Sequence, residues 1–317
     1  MMKDLTFDFE ILSDTNFKQA LDPSLREFYK SDEEKASIFF RRYKMASLHK
    51  EIIYCSLHGN GGLLSSCILV SAVLKLEDHD IKGFFLTQVV TEREHRQRGY
   101  LKILLSRVEE LCIERDTSVI VVIARRSAGD VYWKLGFHGF SHFPIFVKKR
   151  KNQVGDKRGL RTAELDDLRS LQNAHSNSRY LSNLRIERTE NDWQDLILLQ
   201  SSSTHAIWVD DEDEPKNYAI YKNGTLIESS GHVDSLSNRE FYFKLERSSQ
   251  EILLDRYHPL AACLNQEDWN YTERYEPREG HLFKIVKENS GARSKVLHGE
   301  LPQKNKLRLE ISPIDQW

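Results

Sequence analysis

Seven consecutive residues, Arg96-Gln97-Arg98-Gly99-Tyr100-Leu101-Lys102, carry the clearest chemistry in the chain. Three cations surround a glycine where a polar turn, Glu92–Arg98, gives way to an apolar periodic run. If that run is a helix, its first N–H groups lack intrahelical partners and the helix dipole adds partial positive charge. Such an end accepts phosphate. Gly99 lets the backbone approach a ligand closely or take φ > 0, and Arg96, Arg98 and Lys102 supply countercharge. On these residues alone, an ordinary charged loop closed by glycine is an equal reading.

The elements around the turn decide what it can position. Phe84–Val90 is apolar, broken only by Thr87 and Gln88, and suits a largely buried strand. Beyond Leu101, residues Leu104, Leu105, Val108, Leu111 and Cys112 recur at helical spacing and give one stripe toward a sheet. Val119–Ile123 has no polar alternation, as expected of a strand covered on both faces. A short helix carrying Tyr132 follows. The order is a βαβ unit with a right-handed crossover, and its ligand site falls between the first strand and the helix.

The turn Glu94–Leu101 resembles motif A of the GNAT superfamily of acetyl-CoA-dependent N-acetyltransferases, R/Q-x-x-G-x-G/A. Val131–Phe137 (VYWKLGF) resembles that superfamily's second signature, a short helix reading like FYEKLGF. Leu101 departs from the pattern, standing where most members have Gly or Ala. The actinobacterial Eis enzymes tolerate leucine there, so the Eis-like branch is the nearest resemblance. The likeness implies that the backbone of Val89, Val90 and Thr91 and the turn residues Arg96, Gln97, Arg98, Gly99, Tyr100, Leu101 and Lys102 hold acetyl-CoA. It implies transfer of an acetyl or short acyl group to a primary amine by direct attack in a ternary complex. Tyr132 becomes the general acid for the leaving thiolate, since tyrosine is protonated at neutral pH. Trp133, Leu135 and Phe137 read as packing residues.

The general base is less defined. The strand Phe84–Val90 contains no acid, so the glutamate that histone-type members carry there is missing. Glu92 and His95 lie nearby in sequence. Eis enzymes use a C-terminal carboxylate delivered by a third domain, which this chain is too short to hold; Trp317 could offer the equivalent group. The resemblance places the substrate between two domains, lined by Phe84 and Phe85. Its acceptor is a small-molecule or peptide amine. A non-catalytic CoA-binding or adaptor protein is the alternative.

At 317 residues the chain is long for one core and suggests two domains. The expected division is a catalytic GNAT domain at 1–150 and a degenerate GNAT-like copy at 158–317, joined by an exposed linker near 148–159. The fold class is α/β (α+β), a tandem of mixed sheets flanked by helices. Composition is 39% hydrophobic and 30% charged, and the net charge of −2 argues against general nucleic-acid binding. The basic run Lys148–Lys151 is the one contrary signal. Cys55, Cys67, Cys112 and Cys263 have no CxxC spacing and read as reduced core thiols of a cytoplasmic protein. No metal, nucleic-acid or membrane partner is expected, and a homo-oligomer is left open. His138 and His142 are four apart, but Gly139 argues against a zinc pair. The acidic run Asp210–Glu214 reads as a solvated loop.

Locally, Leu5–Leu12 reads as a strand and Thr15–Tyr29 as a helix. Ser31 and Glu34 form a capping box opening a helix to Met45. Glu51–Leu57 and Leu63–Leu76 are strands joined by a glycine-rich turn. Beyond the linker, Thr162 is expected to cap a helix, Thr189–Leu199 to form another, and Ala206–Val209 a strand. Asn223-Gly224 turns a hairpin. Glu240–Leu245 and Leu282–Val286 read as strands. No R/Q-x-x-G-x-G/A pattern follows residue 150.

Overall fold

A computed structural model describes residues 5–13, 15–29, 32–59, 61–76, 79–124, 129–139, 144–149, 159–178, 184–200, 205–230, 236–255, 260, 264, 268–273, 280–286 and 309–310. The first half runs β1 (Leu5–Ile11), α1 (Phe17–Phe28), α2 (Glu33–Ala46), β2 (Ile52–Gly59), β3 (Gly62–Leu76), β4 (His79–Thr91), α3 (Tyr100–Glu114), β5 (Val119–Ala124), α4 (Gly129–Lys134), β6 (His138–Gly139) and β7 (Pro144–Lys149). The second runs β8 (Leu160–Thr162), α5 (Leu168–Asn177), β9 (Leu184–Ile186), α6 (Glu190–Leu199), β10 (His205–Asp210), β11 (Tyr218–Lys222), β12 (Thr225–Ser229), α7 (Leu236–Ser248), β13 (Glu251–Asp255), β14 (Trp269–Glu273), β15 (Gly280–Ile285) and β16 (Leu309–Glu310).

Helix α3 forms as its spacing predicts, burying Leu104, Leu105, Val108, Leu111 and Cys112 on one stripe. Its last turn closes on Asp116 at φ 55°, and the Thr117 N–H donates back to the Cys112 carbonyl. Three local expectations are corrected. Asp32 caps α2, its carboxylate accepting from the Lys35 N–H, so the cap is one residue later than the expected Ser31, which lies outside the described residues. Thr162 ends a strand, and Glu164 with Asp167 forms the capping box of the following turn. Glu240–Leu245 is helical: Phe241, Tyr242 and Leu245 are buried at helical spacing, and that periodicity overrides the strand propensity of Phe and Tyr.

Two sheets result. The first has the order β1-β2-β3-β4-β5-β15-β6, with β9 added beside β3 and β16 beside β9. Its α1/α2 face packs Phe17, Leu21, Phe39, Tyr43, Ile52 and Phe85. Its α3/α4 face packs Ile53, Phe84, Leu86, Leu104, Val108 and Tyr132. Phe84, Phe85 and Leu86 thus alternate between two cores, and neither phenylalanine lines a cleft between domains. The expectation that they contact substrate there is corrected.

The second sheet runs β14-β7-β13-β12-β11-β10-β8. Sheet membership therefore crosses the expected boundary both ways. Strand β7 leaves the first half to pair antiparallel with β13 and β14, while β15 returns from the second half to lie between β5 and β6. Lys148 and Lys149 belong to a strand rather than to the expected linker; Arg150 and Lys151 lie outside the described residues. An ion pair and a hydrogen bond also join the halves. Lys50 reaches Asp192 at 2.6 Å and His49 reaches Asp195 at 2.8 Å, tying the end of α2 to α6. Among the described residues, no helix is long and apolar enough to cross a membrane.

His205, which opens β10 opposite Lys222, is buried with its Nε2 2.9 Å from the Leu196 carbonyl. Burial first, then the charges of Arg42 and Lys222, hold it below the ordinary histidine range. A depressed folded-state value means its stabilisation is present above the unfolded value of about 6.5 and lost as pH falls through the folded one. Thermal melts should show Tm falling from pH 7 to pH 5, with a shallower fall in His205→Gln. An identical slope in the variant would assign the acid sensitivity elsewhere.

Candidate active site

The parallel pairing of β4 with β5 runs from Gly83–Val119 to Leu86–Val122 and stops. Residues 87–91 of β4 continue with no strand on that side among the described residues. The β3–β4 register shifts at the same point: Ser66 faces Val90 and Ile68 faces Thr87, so Gln88 and Val89 bulge against the single residue Cys67. Gln88 takes φ 51°, in the left-handed region that a non-glycine residue rarely occupies. The strand therefore opens away from its neighbour where its backbone is most distorted.

Beyond β4, a single helical turn at Arg93–His95 leads into the glycine turn. Gln97 takes φ 62° and Gly99 φ 83°, the latter at the N-cap of α3 with no side-chain cap. The backbone N–H groups of Gln97, Arg98, Gly99, Tyr100 and Leu101 donate to no acceptor among the described residues. A Cβ built on Gly99 meets nothing within 4 Å. Successive unbonded amides in left-handed turns over a helix N-terminus form a concavity for an anion. Arg98 and Lys102 are exposed beside it. Arg96 is committed: its Nε donates to the Thr91 carbonyl at 3.0 Å and its guanidinium pairs with Glu27 at 3.0 Å. Arg96, and then Arg93, hold the Glu27 carboxyl below its usual range against the effect of burial. Leu101 packs against the α3/α4 core, which accommodates its bulk.

Tyr132 is buried in that core, edge-to-face with Phe137 at a centroid distance of 5.4 Å. Gly136 at φ 83° ends α4, and the Phe137 N–H donates back to the Tyr132 carbonyl. The Tyr132 hydroxyl has no protein partner among the described residues. Burial, and secondarily the neighbouring Cys67 thiol, push its pKa well above the tyrosine range, so it stays protonated. Because Cys67 is the residue opposite the bulge, Tyr132 and the bulge stand together. Trp133 is 55% exposed rather than packed, a correction to the expected packing trio. Cys55, Cys67 and Cys112 are free and fully buried, and burial pushes the Cys112 thiol up to about 12. Such thiols are not nucleophiles at neutral pH.

Glu92 pairs with Arg26 at 3.2 Å, and His95 stacks edge-on against Tyr100 at 6.0 Å, its Nδ1 buried and without a partner among the described residues. Trp317, Cys263 and His142 lie outside the described residues. Among those described, no cluster of three His, Cys, Asp or Glu side chains could hold a metal. The bulge and Gln88 were invisible in the sequence, because a bulge is a property of two paired strands.

The second sheet repeats the plan. Its β12–β13 pairing stops after Leu226–Ile252, and the β11–β12 register shifts at the same place. There the first residue past the bulge is Glu228, and its carboxylate is filled. Arg188 Nη1 and Nη2 donate to it at 2.6 and 2.7 Å, and the Tyr218 hydroxyl donates at 2.6 Å. Residues 231–235, which follow β12 in sequence, lie outside the described residues.

The splayed parallel pair, the strand bulge and the glycine-capped amide cradle all fall within one stretch of the sequence. Residues 9–139, less than half of the chain, match the family described as acetyltransferase (GNAT) domain. The chain's fold is similar to that of a GCN5-related N-acetyltransferase from Anabaena variabilis, 14% identical, with a TM-score of 0.65 over 89% of this chain and 73% of that one. Eis1 from Mycobacterium abscessus is 13% identical, with a TM-score of 0.60 over 89% and 74%. Saccharomyces cerevisiae N-myristoyltransferase, solved with bound myristoyl-CoA, is 8% identical, with a TM-score of 0.57 over 89% and 82%. At these identities the likeness is one of fold. No curated protein matches the chain.

Proposed function

We propose that this protein transfers an acetyl or short acyl group from acetyl-CoA to a primary amine, with both substrates bound together. The observation that carries the reading is the run of five unbonded amides, Gln97 to Leu101, around an open Gly99. That cradle suits a pyrophosphate, with Arg98 and Lys102 as countercharge. Arg96 serves indirectly, holding the turn to Glu27 and to the Thr91 carbonyl. The unpaired edge at Val89, Val90 and Thr91 would bind the pantetheine arm. When bound, the thioester supplies an activated carbonyl, whose C–S bond breaks as the amine's N–C bond forms. Tyr132 holds the proton that the departing sulfur needs, and the amine's surplus proton passes to solvent or to a base.

The acceptor is a small-molecule or peptide amine, the chain divides functionally at 1–150 and 158–317, and the reduced buried thiols suit a cytoplasmic setting. A second reading, a CoA-binding adaptor without turnover, draws on one observation. No carboxylate stands on residues 84–91, and Glu92 is engaged by Arg26.

The test is calorimetric titration with acetyl-CoA, followed by release of free CoA in the presence of butylamine, 1,4-diaminobutane, glucosamine or Nα-acetyl-lysine amide. Binding with turnover supports the enzyme, and binding without turnover supports the adaptor. Gly99→Val should weaken acetyl-CoA binding about ten- to hundredfold, since a β-branched residue at positive φ costs one to three kcal/mol. The fold should be unchanged, because the turn is exposed and a Cβ at this position meets nothing within 4 Å. Unaltered affinity in that variant would remove the cradle from the binding site.

A further inference from the structure

Strand β15 belongs by sequence to the second half but lies in the first sheet, between β5 and β6. Its Leu282 is buried in the α3/α4 core, and Val286, just past the strand, packs against the same core. Lys284 stands between them on that face, in register with Ile120 of β5. A lysine in an otherwise apolar stripe needs partners for its ammonium. This one has two. Its Nζ donates to Glu109 Oε1 on α3 at 2.5 Å and to the Leu135 carbonyl, one residue past α4, at 2.8 Å.

Those contacts join two helices with different tasks in the reaction proposed above. Helix α3 begins at the amide cradle, so its seat on the sheet sets where a bound thioester lies. Helix α4 carries Tyr132 and is only six residues long, too short to hold its shape alone. The Leu135 and Phe137 N–H groups both donate to the Tyr132 carbonyl at 3.0 Å, so the turn that Lys284 grips is closed on Tyr132 itself. The ammonium also lies 5.9 Å from the centre of the Phe137 ring, on which Tyr132 packs. A cation at this end of α4 suits the unpaired carbonyls of a helix C-terminus. The Lys284 and Glu109 side chains are 21% and 28% exposed, sheltered enough to keep one geometry.

Resting on the acyltransferase reading above, we infer that Lys284 is a positioning residue for the general acid: its ammonium ties α4 to α3 and so fixes the Tyr132 hydroxyl relative to a thioester held at the cradle. It acts through Tyr132 and not on either substrate. The alignment of the proton donor is thereby supplied by the second half of the chain, through the strand that crosses into the first sheet. A reacting group displaced by about 1 Å loses about a hundredfold in rate, so a single anchor of this kind has a kinetic signature.

The test is a double-mutant cycle of Lys284→Met and Tyr132→Phe, followed as CoA release with the four amines named above and as calorimetric binding of acetyl-CoA. Methionine keeps the packing of the aliphatic stem and removes the ammonium. In the wild-type background kcat should fall about ten- to hundredfold, while amine KM and acetyl-CoA Kd stay within about threefold. In the Tyr132→Phe background the same change should alter kcat by less than about twofold, because no proton donor is left to misplace. Lys284→Arg keeps a cation with several donors and should recover most of the loss. Glu109→Ala, on a partly exposed face of α3, loosens the same tie from its other end. It should lower kcat about three- to tenfold, again only where Tyr132 is present, and it decides the question if Lys284→Met fails to fold. Unchanged kcat in Lys284→Met, equal losses in both backgrounds, or a parallel loss of acetyl-CoA binding overturns the inference and leaves the acyltransferase reading standing. Full turnover in Tyr132→Phe removes the general acid and the inference together. Wild type that binds no acetyl-CoA, or turns over none of the amines, overturns the acyltransferase reading and the inference with it.

Discussion

Replacing Tyr132 by phenylalanine should lower amine-dependent CoA release by about a hundred- to ten-thousandfold, the range for loss of a positioned proton donor. Acetyl-CoA affinity and Tm should stay near wild type. The ring is what the fold uses, through its packing on Phe137, whereas the hydroxyl has no protein partner among the described residues. Burial keeps that hydroxyl protonated through the neutral range, so its titration should leave no limb in a rate profile between pH 6 and 9. Steady-state kinetics with calorimetric titration of acetyl-CoA separates the two effects. Full turnover in the variant would mean that the sulfur leaves unaided or that another group supplies its proton.

The second large effect falls far from the cradle. Glu228→Ala should destabilise the protein by about 3–5 kcal/mol, the usual cost of leaving one member of a buried ion pair uncompensated. Arg188 is 1% exposed and Glu228 5%, and their contact is bidentate. The guanidinium also lies 4.8 Å over the Trp193 ring, and Tyr218 links the carboxylate to His175 through its hydroxyl at 3.1 Å. The double variant Arg188→Met/Glu228→Leu should recover most of the loss, since it removes the stranded charge rather than creating one. Chemical denaturation of the single and double variants measures this directly. Equal destabilisation by both would show that packing at the site matters more than its charge. In the second sheet the opened strands hold a satisfied carboxylate where the bulge of the first sheet holds the neutral Gln88.

How far the chain could be read before its structure depended on whether a signal was local. The stripe from Leu104 to Cys112 and the unbroken VIVVI run made the βαβ unit plain, because each element follows from its own periodicity. Gly99 was legible for the same reason. Glu240–Leu245 was misread because Phe241 and Tyr242 favour strands, while their burial at helical spacing becomes evident only against the second sheet. Trp133 looked like a packing residue by type, yet the face of α4 that carries it is turned to solvent. Two features had no local trace at all. The bulge at Gln88 exists only relative to β3, and the exchange of β7 for β15 depends on which free edge each strand meets.

That exchange bears on how the polypeptide is made. While the first half emerges from the ribosome, the outer edge of β5 has no neighbour, because the strand that covers it is encoded far downstream of β5. The nascent chain must therefore carry an open, hydrophobic edge until β15 has been made, the state in which strands pair wrongly with other molecules. A gene cut at its midpoint would not yield two modules. It would yield two incomplete sheets, each with a gap shaped for a strand that the other fragment holds.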